Sequence, residues 1–261
     1  MSAAQPNMFD VFGDESAGLE LVSYGVLVVP DNRLDEANAL LVKIEADFGG
    51  SEDQKLHCRE LFNGHLRAKS PWAQLKQQTV FELYEALAVA LRRSGLRRIV
   101  TIARKSHFPK TLPQNGTWPE IILNDKQLTA FCGNAVMIPL SKDPGLEKVR
   151  FWADPDHTSI EWLGARRKAT SALNMFIDVG PGNEPPKVQV ANILDEKPAL
   201  LEVADFVAYA AQRGLSRKYG TFKQRYKNLY ALLAPEQLVF TRGRDGGFGI
   251  EVPSASFANS T

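Results

Sequence analysis

Two runs rich in β-branched and aromatic residues, Phe9–Glu15 and Leu19–Val29, are separated by a short turn containing Gly18, and this pattern predicts an antiparallel β-hairpin. A hairpin this apolar has to be buried, so it belongs inside a sheet with other elements packed on it. One detail sits awkwardly with that reading. Asp14 and Glu15 are consecutive carboxylates placed where the first strand ends, and a buried charge is costly unless something partners it.

The rest of the chain alternates helical and extended patterns. Pro30-Asp31 opens an amphipathic helix with Leu34, Ala37, Leu41 and Ile44 at helical spacing, stopped by Gly49-Gly50. A long helix is predicted from Pro71 to Arg93 on the stripe Trp72, Leu75, Val80, Leu83, Leu87 and Leu91, ended by Gly95, and Arg98–Ala103 follows as a central strand. Beyond a loop, Phe108–Pro119, come a helical stretch over Glu120–Leu140, a strand over Lys148–Asp154, a helix near Ser159–Phe176 and a strand over Lys187–Ile193. The apolar helix Pro198–Gln212, a basic helical piece over Ser216–Leu233, a short hairpin around Asp245 and a frayed end, Ser254–Thr261, complete the chain. Strands leading into helices after an N-terminal antiparallel hairpin indicate one α/β domain with a mixed sheet flanked by helices. It is expected to span residues 8–235, with residues 236–261 a hairpin and tail of the same domain. The Phe108–Pro119 loop is the weakest point of the single-domain reading, since loops of that length are usually functional or mobile.

With 261 residues, 44% of them hydrophobic, the chain can bury a large core. Thirty-one basic against thirty acidic residues leave a net charge of +1, so a polyanion has to be held by a local basic patch rather than by the field of the whole molecule. The N-terminus lacks a basic stretch followed by an apolar one, and no run approaches the length that spans a bilayer. A cytoplasmic protein without membrane partners is expected. Cys58 and Cys132 fit no paired zinc or redox spacing and read as free thiols.

Three further acids occupy places as awkward as Asp14. Asp154 terminates the strand Val149-Arg-Phe-Trp-Ala-Asp, where either a loop-entry hydrogen bond or a ligand role accounts for it. Its neighbour Asp156 precedes the capping box Thr158-Ser-Ile-Glu161 and is adequately explained as a turn residue. Asp205 stands in Leu200-Leu-Glu-Val-Ala-Asp-Phe-Val-Ala, a helix apolar on nearly every side, where it needs a buried arginine or a metal. Glu202 lies on nearly the same helical face. Glu60 falls in Leu56-His-Cys-Arg-Glu-Leu61, an H-x-x-E arrangement that puts His57 and Glu60 on one side if the segment is helical. His57, Cys58 and His65 lack a fourth ligand at zinc spacing. Three or four carboxylates converging from separate elements would repel one another without cations between them, and hard oxygen donors favour Mg²⁺ or Mn²⁺. Such a cluster can activate a water on one ion and stabilise the leaving oxygen on another, which suits a phosphodiester.

In order along the chain, Phe12-Gly-Asp-Glu-Ser16 with its hairpin, Leu56-His-Cys-Arg-Glu60, Trp152-Ala-Asp154 and Pro198-Ala-Leu-Leu-Glu-Val-Ala-Asp-Phe-Val-Ala208 resemble the motifs of the DUF3800 family, over about Phe9 to Arg213. The resemblance implies an RNase H-like fold in which Asp14, Glu60, Asp154 and Asp205 hold two divalent ions, with His57 as the histidine ahead of the glutamate, and it implies a nuclease or related phosphoryl-transfer activity. The sequence departs from the family pattern at Ala17, where a glycine is common, and at Glu202, where a glutamine is usual. Glu202 adds either a metal ligand or only a charge. Asp14 would then stay at the sheet for the metal, while Glu15, on the opposite face of an extended strand, is structural or supporting.

A candidate path for nucleic acid follows Asp205. From Arg213 to Lys227 the chain carries six cations, Arg213, Arg217, Lys218, Lys223, Arg225 and Lys227, with Tyr219, Phe222 and Tyr226 among them and no acid. Positive charge for phosphates and rings for unpaired bases fit single-stranded or irregular nucleic acid; a solvated basic helix with its aromatics on the core is the alternative. A second cluster, Arg92, Arg93, Arg97 and Arg98, flanks a helix end where positive charge is favourable anyway. The leading expectation is a divalent-metal-dependent nuclease acting on DNA or RNA. The alternatives are a non-catalytic RNase H-like binding or assembly protein working with a protein partner, and a metal-dependent phosphohydrolase acting on nucleotides.

Overall fold

The computed structural model describes residues 8–51, 54–112, 121–141, 146, 148–153, 187–190, 198–217, 220–242 and 248–251. Its strands are β1 (Met8–Ala17), β2 (Leu21–Pro30), β3 (Arg97–Arg104), β4 (Thr111–Leu112), β5 (Ile121–Ile122), β6 (Lys148–Ala153), β7 (Lys187–Val190), β8 (Glu236–Arg242) and β9 (Phe248–Glu251). The described α-helices are α1 (Leu34–Asp47), α2 (Cys58–Phe62), α3 (Gly64–Arg67), α4 (Gln77–Ser94), α5 (Asp125–Ala135), α6 (Met137–Ser141), α7 (Leu201–Leu215) and α8 (Lys223–Leu233).

Seven strands form a mixed sheet in the order β7-β6-β1-β2-β3-β8-β9, and β4 and β5 pair separately. The expected hairpin is β1 and β2, closed by the Gly18 N–H donating to the Leu21 carbonyl at 2.9 Å. β2 runs antiparallel to both neighbours, whereas β6 joins β1 in parallel and β8 joins β3 in parallel. A hairpin in the middle of a sheet has both faces covered, and nine of the ten residues of β2 are buried.

The alternation of β1 and β2 sorts side chains into two cores. Phe12, Leu21, Leu27 and Val29 face α1, α2, α4, α7 and α8, and Val11, Val22, Tyr24 and Val26 face α5, α6 and residues of β6 and β8. α1 buries Ala37, Leu41 and Ile44 as its periodicity predicts. Gly95 ends α4 at φ 69°, a left-handed conformation that glycine adopts without strain.

Three boundaries differ from the sequence expectation. The long helix starts at Gln77, not Pro71, because Trp72 is withdrawn into the core, where its indole N–H donates to the Lys55 carbonyl at 3.0 Å. Residues 120–140 are not one helix: the described part holds β5, then α5 and α6, which meet at Val136. The basic piece is helical only from Lys223. The helix expected near Ser159–Phe176, the cap at Asp156, most of the Phe108–Pro119 loop, the turn at Asp245 and the end of the chain lie outside the described residues. No described helix is long and apolar enough to cross a membrane, and both cysteines are free thiols in the interior.

Candidate active site

Asp14 is paired across the hairpin with Gly25. Directly opposed residues of an antiparallel pair share a face, so Asp14 lies on the face with Phe12 and Leu27, the side that α7 covers. Gly25 is what lets α7 approach. A Cβ there would sit 2.5 Å from the Ala208 nitrogen and 2.9 Å from the Ala204 carbonyl oxygen. Ser23 Oγ ties the same contact by donating to the Ala208 carbonyl at 2.8 Å. Glu15 alternates to the opposite face, opposite Tyr24 of the second core, and its backbone N–H donates to Asp14 Oδ1 at 2.7 Å.

α7 carries Asp205 into the interior, with its side chain 10% exposed. The arginine that a buried carboxylate invites is not there among the described residues. Instead Asp205 Oδ2 accepts the Cys58 backbone N–H at 2.8 Å and lies 3.0 Å from His57 Nδ1. An ionised carboxylate oxygen only accepts, so Nδ1 carries the hydrogen in this pair. The His57 side chain is 53% exposed, so the dyad joins the interior to the surface.

His57 does not share a helical face with Glu60. It is extended (φ −84°, ψ 112°) and precedes α2, and its carbonyl accepts the N–H groups of Glu60 and Leu61, both at 3.0 Å. The extended segment is held by four side chains. Trp72 donates to the Lys55 carbonyl at 3.0 Å, Tyr84 donates to the Leu56 carbonyl at 3.3 Å, and Glu202 Oε2 and Asp205 Oδ2 accept from Leu56 and Cys58. Phe62 anchors α2 by stacking 5.2 Å from Tyr209 of α7.

Electrostatics bring Asp14 and Asp205 into one neighbourhood. The buried Cys58 thiol is pushed well above its ordinary range by burial first and then by the negative charge of Asp205, with Asp14 adding to it. That thiol is inert as a nucleophile. Glu202, by contrast, meets Glu45 of α1. Burial first and the Glu202 charge second push Glu45 up to about 8, and the two carboxyl groups share a hydrogen bond.

Of the five expected site residues, the structure joins His57 and Asp205 and sets Asp14 on the same side of the sheet. Glu60 is half-buried on α2, and its side chain makes no hydrogen bond or ion pair with a described residue. Asp154 lies outside the described residues. The described parallel register of β1 with β6 ends at the pair Gly13 and Ala153, the residues that immediately precede Asp14 and Asp154 in the chain. Among the described residues, no three His, Cys, Asp or Glu side chains are grouped as a metal site.

The basic segment divides. Arg217 and Lys227 are exposed. Arg213 lies over the Tyr209 ring at 5.0 Å, and Lys223 Nζ is 3.4 Å from the Arg217 carbonyl. Arg225 pairs with Glu85 at 3.1 Å and lies over Phe81 at 4.3 Å, while Lys218 and Tyr219 are outside the described residues. Tyr226 is not a surface ring: it packs with Phe62, Phe81 and Tyr209 in the core. Phe222, 43% exposed, is the described aromatic of this segment that keeps a face toward solvent.

Two groups escaped the sequence reading. Glu45 borders the apolar stripe of α1, directly after Ile44, and that adjacency was its only signal. Asp10, fully buried on the face of Asp14, accepts from Arg150 at 2.8 and 2.7 Å and from the Trp152 indole at 2.7 Å; its place in the alternation Asp10, Phe12, Asp14 could have shown it.

No protein-family model, curated protein or solved structure matches the chain.

Proposed function

We propose that the protein is a divalent-metal-dependent nuclease with an RNase H-like core, in keeping with the motifs that resemble the DUF3800 family. The observation that carries this reading is Asp205, a buried carboxylate with no lysine or arginine partner among the described residues, beside His57 and Cys58 and on the Asp14 side of the sheet. A buried carboxylate is costly unless it is paired or bound to a cation, and a divalent ion shared with Asp14 is the proposed partner of Asp205. The strand order supports the fold assignment: three antiparallel strands from the N-terminal half, with two more added in parallel beside β1.

Asp14 and Asp205 supply the hard oxygen donors that Mg²⁺ or Mn²⁺ prefers. Asp154 and Glu60 are the proposed further ligands, on the strength of their sequence motifs. When bound, the ions lower the pKa of a coordinated water and offset charge on the phosphodiester oxygens. The chain's own contribution is positional. Asp205 holds the His57 ring through Nδ1, and in this reading the ring orients a water or takes a proton at the dyad. Arg217, Lys227 and Phe222 are the proposed contacts for a nucleic-acid strand, with Arg213, Lys218, Lys223 and Arg225 adding positive field.

The test is incubation of the purified protein with single- and double-stranded DNA and RNA in Mg²⁺, Mn²⁺ or EDTA. Cleavage of at least one polymer, abolished by EDTA, is expected. Binding without cleavage under every condition would contradict the reading in favour of an assembly protein. Cleavage of mononucleotides alone would contradict it in favour of a phosphohydrolase.

A further inference from the structure

Glu202 and Asp205 stand three residues apart on α7 and face the same short segment. Glu202 Oε2 accepts the Leu56 N–H at 2.6 Å, and Asp205 Oδ2 accepts the Cys58 N–H at 2.8 Å. These N–H groups are two residues apart on an extended stretch of backbone. Between them is His57, whose ring reaches the second carboxylate at 3.0 Å. The intervening carbonyl, Leu56, is held by Tyr84, and the preceding one, Lys55, by Trp72.

We infer that Glu202 is a positioning residue: with Asp205 it forms a two-carboxylate clamp that grips alternate N–H groups on either side of His57 and so fixes where the imidazole stands. Charge-assisted hydrogen bonds of this kind are about twice as strong as neutral ones, and a segment of extended chain without strand partners needs such anchors to hold a catalytic ring steady. Glu202 is itself buttressed from α1 through its hydrogen bond with Glu45. The charged groups facing Glu202 are Glu45 from α1, Lys55 from the clamped segment and Asp205 along α7. With Leu56 on one side and Glu45 on another, Glu202 has a complete role without a metal. The clamp's catalytic meaning rests on the proposed reading of the site, but its geometry is measurable without substrate.

The experiment is nuclear magnetic resonance of the full chain at one fixed pH, with the His57 ring-nitrogen chemical shifts recorded and amide exchange followed at Leu56 and Cys58, in wild type, Glu202→Ala and Glu202→Gln. In Glu202→Ala, exchange at Leu56 accelerates roughly 10- to 100-fold and the His57 Nδ1 signal leaves its hydrogen-bonded position. Glu202→Gln, which keeps an acceptor oxygen, restores the wild-type Nδ1 signal. An unchanged Nδ1 signal in Glu202→Ala overturns the inference. If that variant does not fold, Glu202→Gln decides alone: loss of the negative charge accelerates Leu56 exchange about 10-fold, and no acceleration overturns the clamp. A protein that cleaves nothing yet shows these His57 responses refutes the nuclease reading and leaves the clamp standing. EDTA-sensitive cleavage with an unresponsive His57 does the reverse.

Discussion

Asp205 and Glu45 show how differently two buried acids are handled within one interior. Asp205 accepts a backbone N–H and faces an imidazole. Glu45 meets another carboxylate, and burial with that neighbour pushes it up to about 8 from its ordinary 4.5. The sign of the consequence follows. Between those two values the unfolded chain has released a proton that the folded protein still holds, so stability falls as pH rises through that window and levels off above it. Glu45→Gln removes the titrating group and keeps a donor for Glu202. Its melting temperature is expected to exceed that of wild type by roughly 2–4 °C near pH 9 and to match it near pH 4. A constant difference across the range, measured by thermal denaturation, would contradict this account. Asp205 was legible in the sequence because a lone acid interrupts an apolar helix; Glu45 was not, because an acid at the edge of an amphipathic stripe looks solvated until a second helix covers it.

At the scale of elements, α7 is the piece on which the site depends, and Gly25 is where it meets the sheet. Gly25→Ala places a methyl group against the backbone of Ala204 and Ala208, where no side chain can yield, and overpacking of this type costs about 1–3 kcal/mol. The urea midpoint is expected to fall accordingly, and the Ser23 to Ala208 hydrogen bond to lengthen. An unchanged midpoint would mean that α7 is not seated as described. The basic segment leading into α8 makes a different demand. Its exposed charges and its structural charges separate by mutation: Arg217→Gln with Lys227→Gln lowers the salt dependence of nucleic-acid binding by about one to two in slope, with stability unchanged. Arg225→Gln destabilises the fold instead, because Arg225 is engaged by Glu85 and the Phe81 ring. The hairpin, α1 and the end of α4 were legible from period and glycine placement. The start of α4 was not, since Trp72 and Leu75 continue its apolar spacing but are drawn elsewhere by tertiary contacts. Tyr226 was left open between surface and core for a related reason: charge surrounds it in sequence, while its ring turns to the core.

The whole molecule places its candidate acids by a topology that no local pattern reveals. The alternation of strands and helices announces an α/β domain with a mixed sheet, but that β6 returns beside β1, in parallel and in register from Met8 with Lys148 to Gly13 with Ala153, is a long-range fact. On the face that α7 covers, β1 and β6 oppose Asp10 to Arg150 and Phe12 to Trp152. The first rung is an ion pair and the second a stack with ring centroids 6.2 Å apart. The charge of Asp10 is thereby neutralised inside the sheet, while Asp14, further along the same face, is the acid to which the proposed reading assigns the chemistry. The central claim is that Asp14 and Asp205 act together on a phosphodiester through a divalent ion. The most direct measurement is the Mn²⁺-dependent cleavage rate of Asp14→Asn and Asp205→Asn on the polymer that wild type cuts best, with folding checked by circular dichroism. The account predicts a loss of at least about 10³-fold in each folded variant, with the double variant little worse than either alone. Cleavage within a few-fold of wild type in folded Asp14→Asn would contradict it.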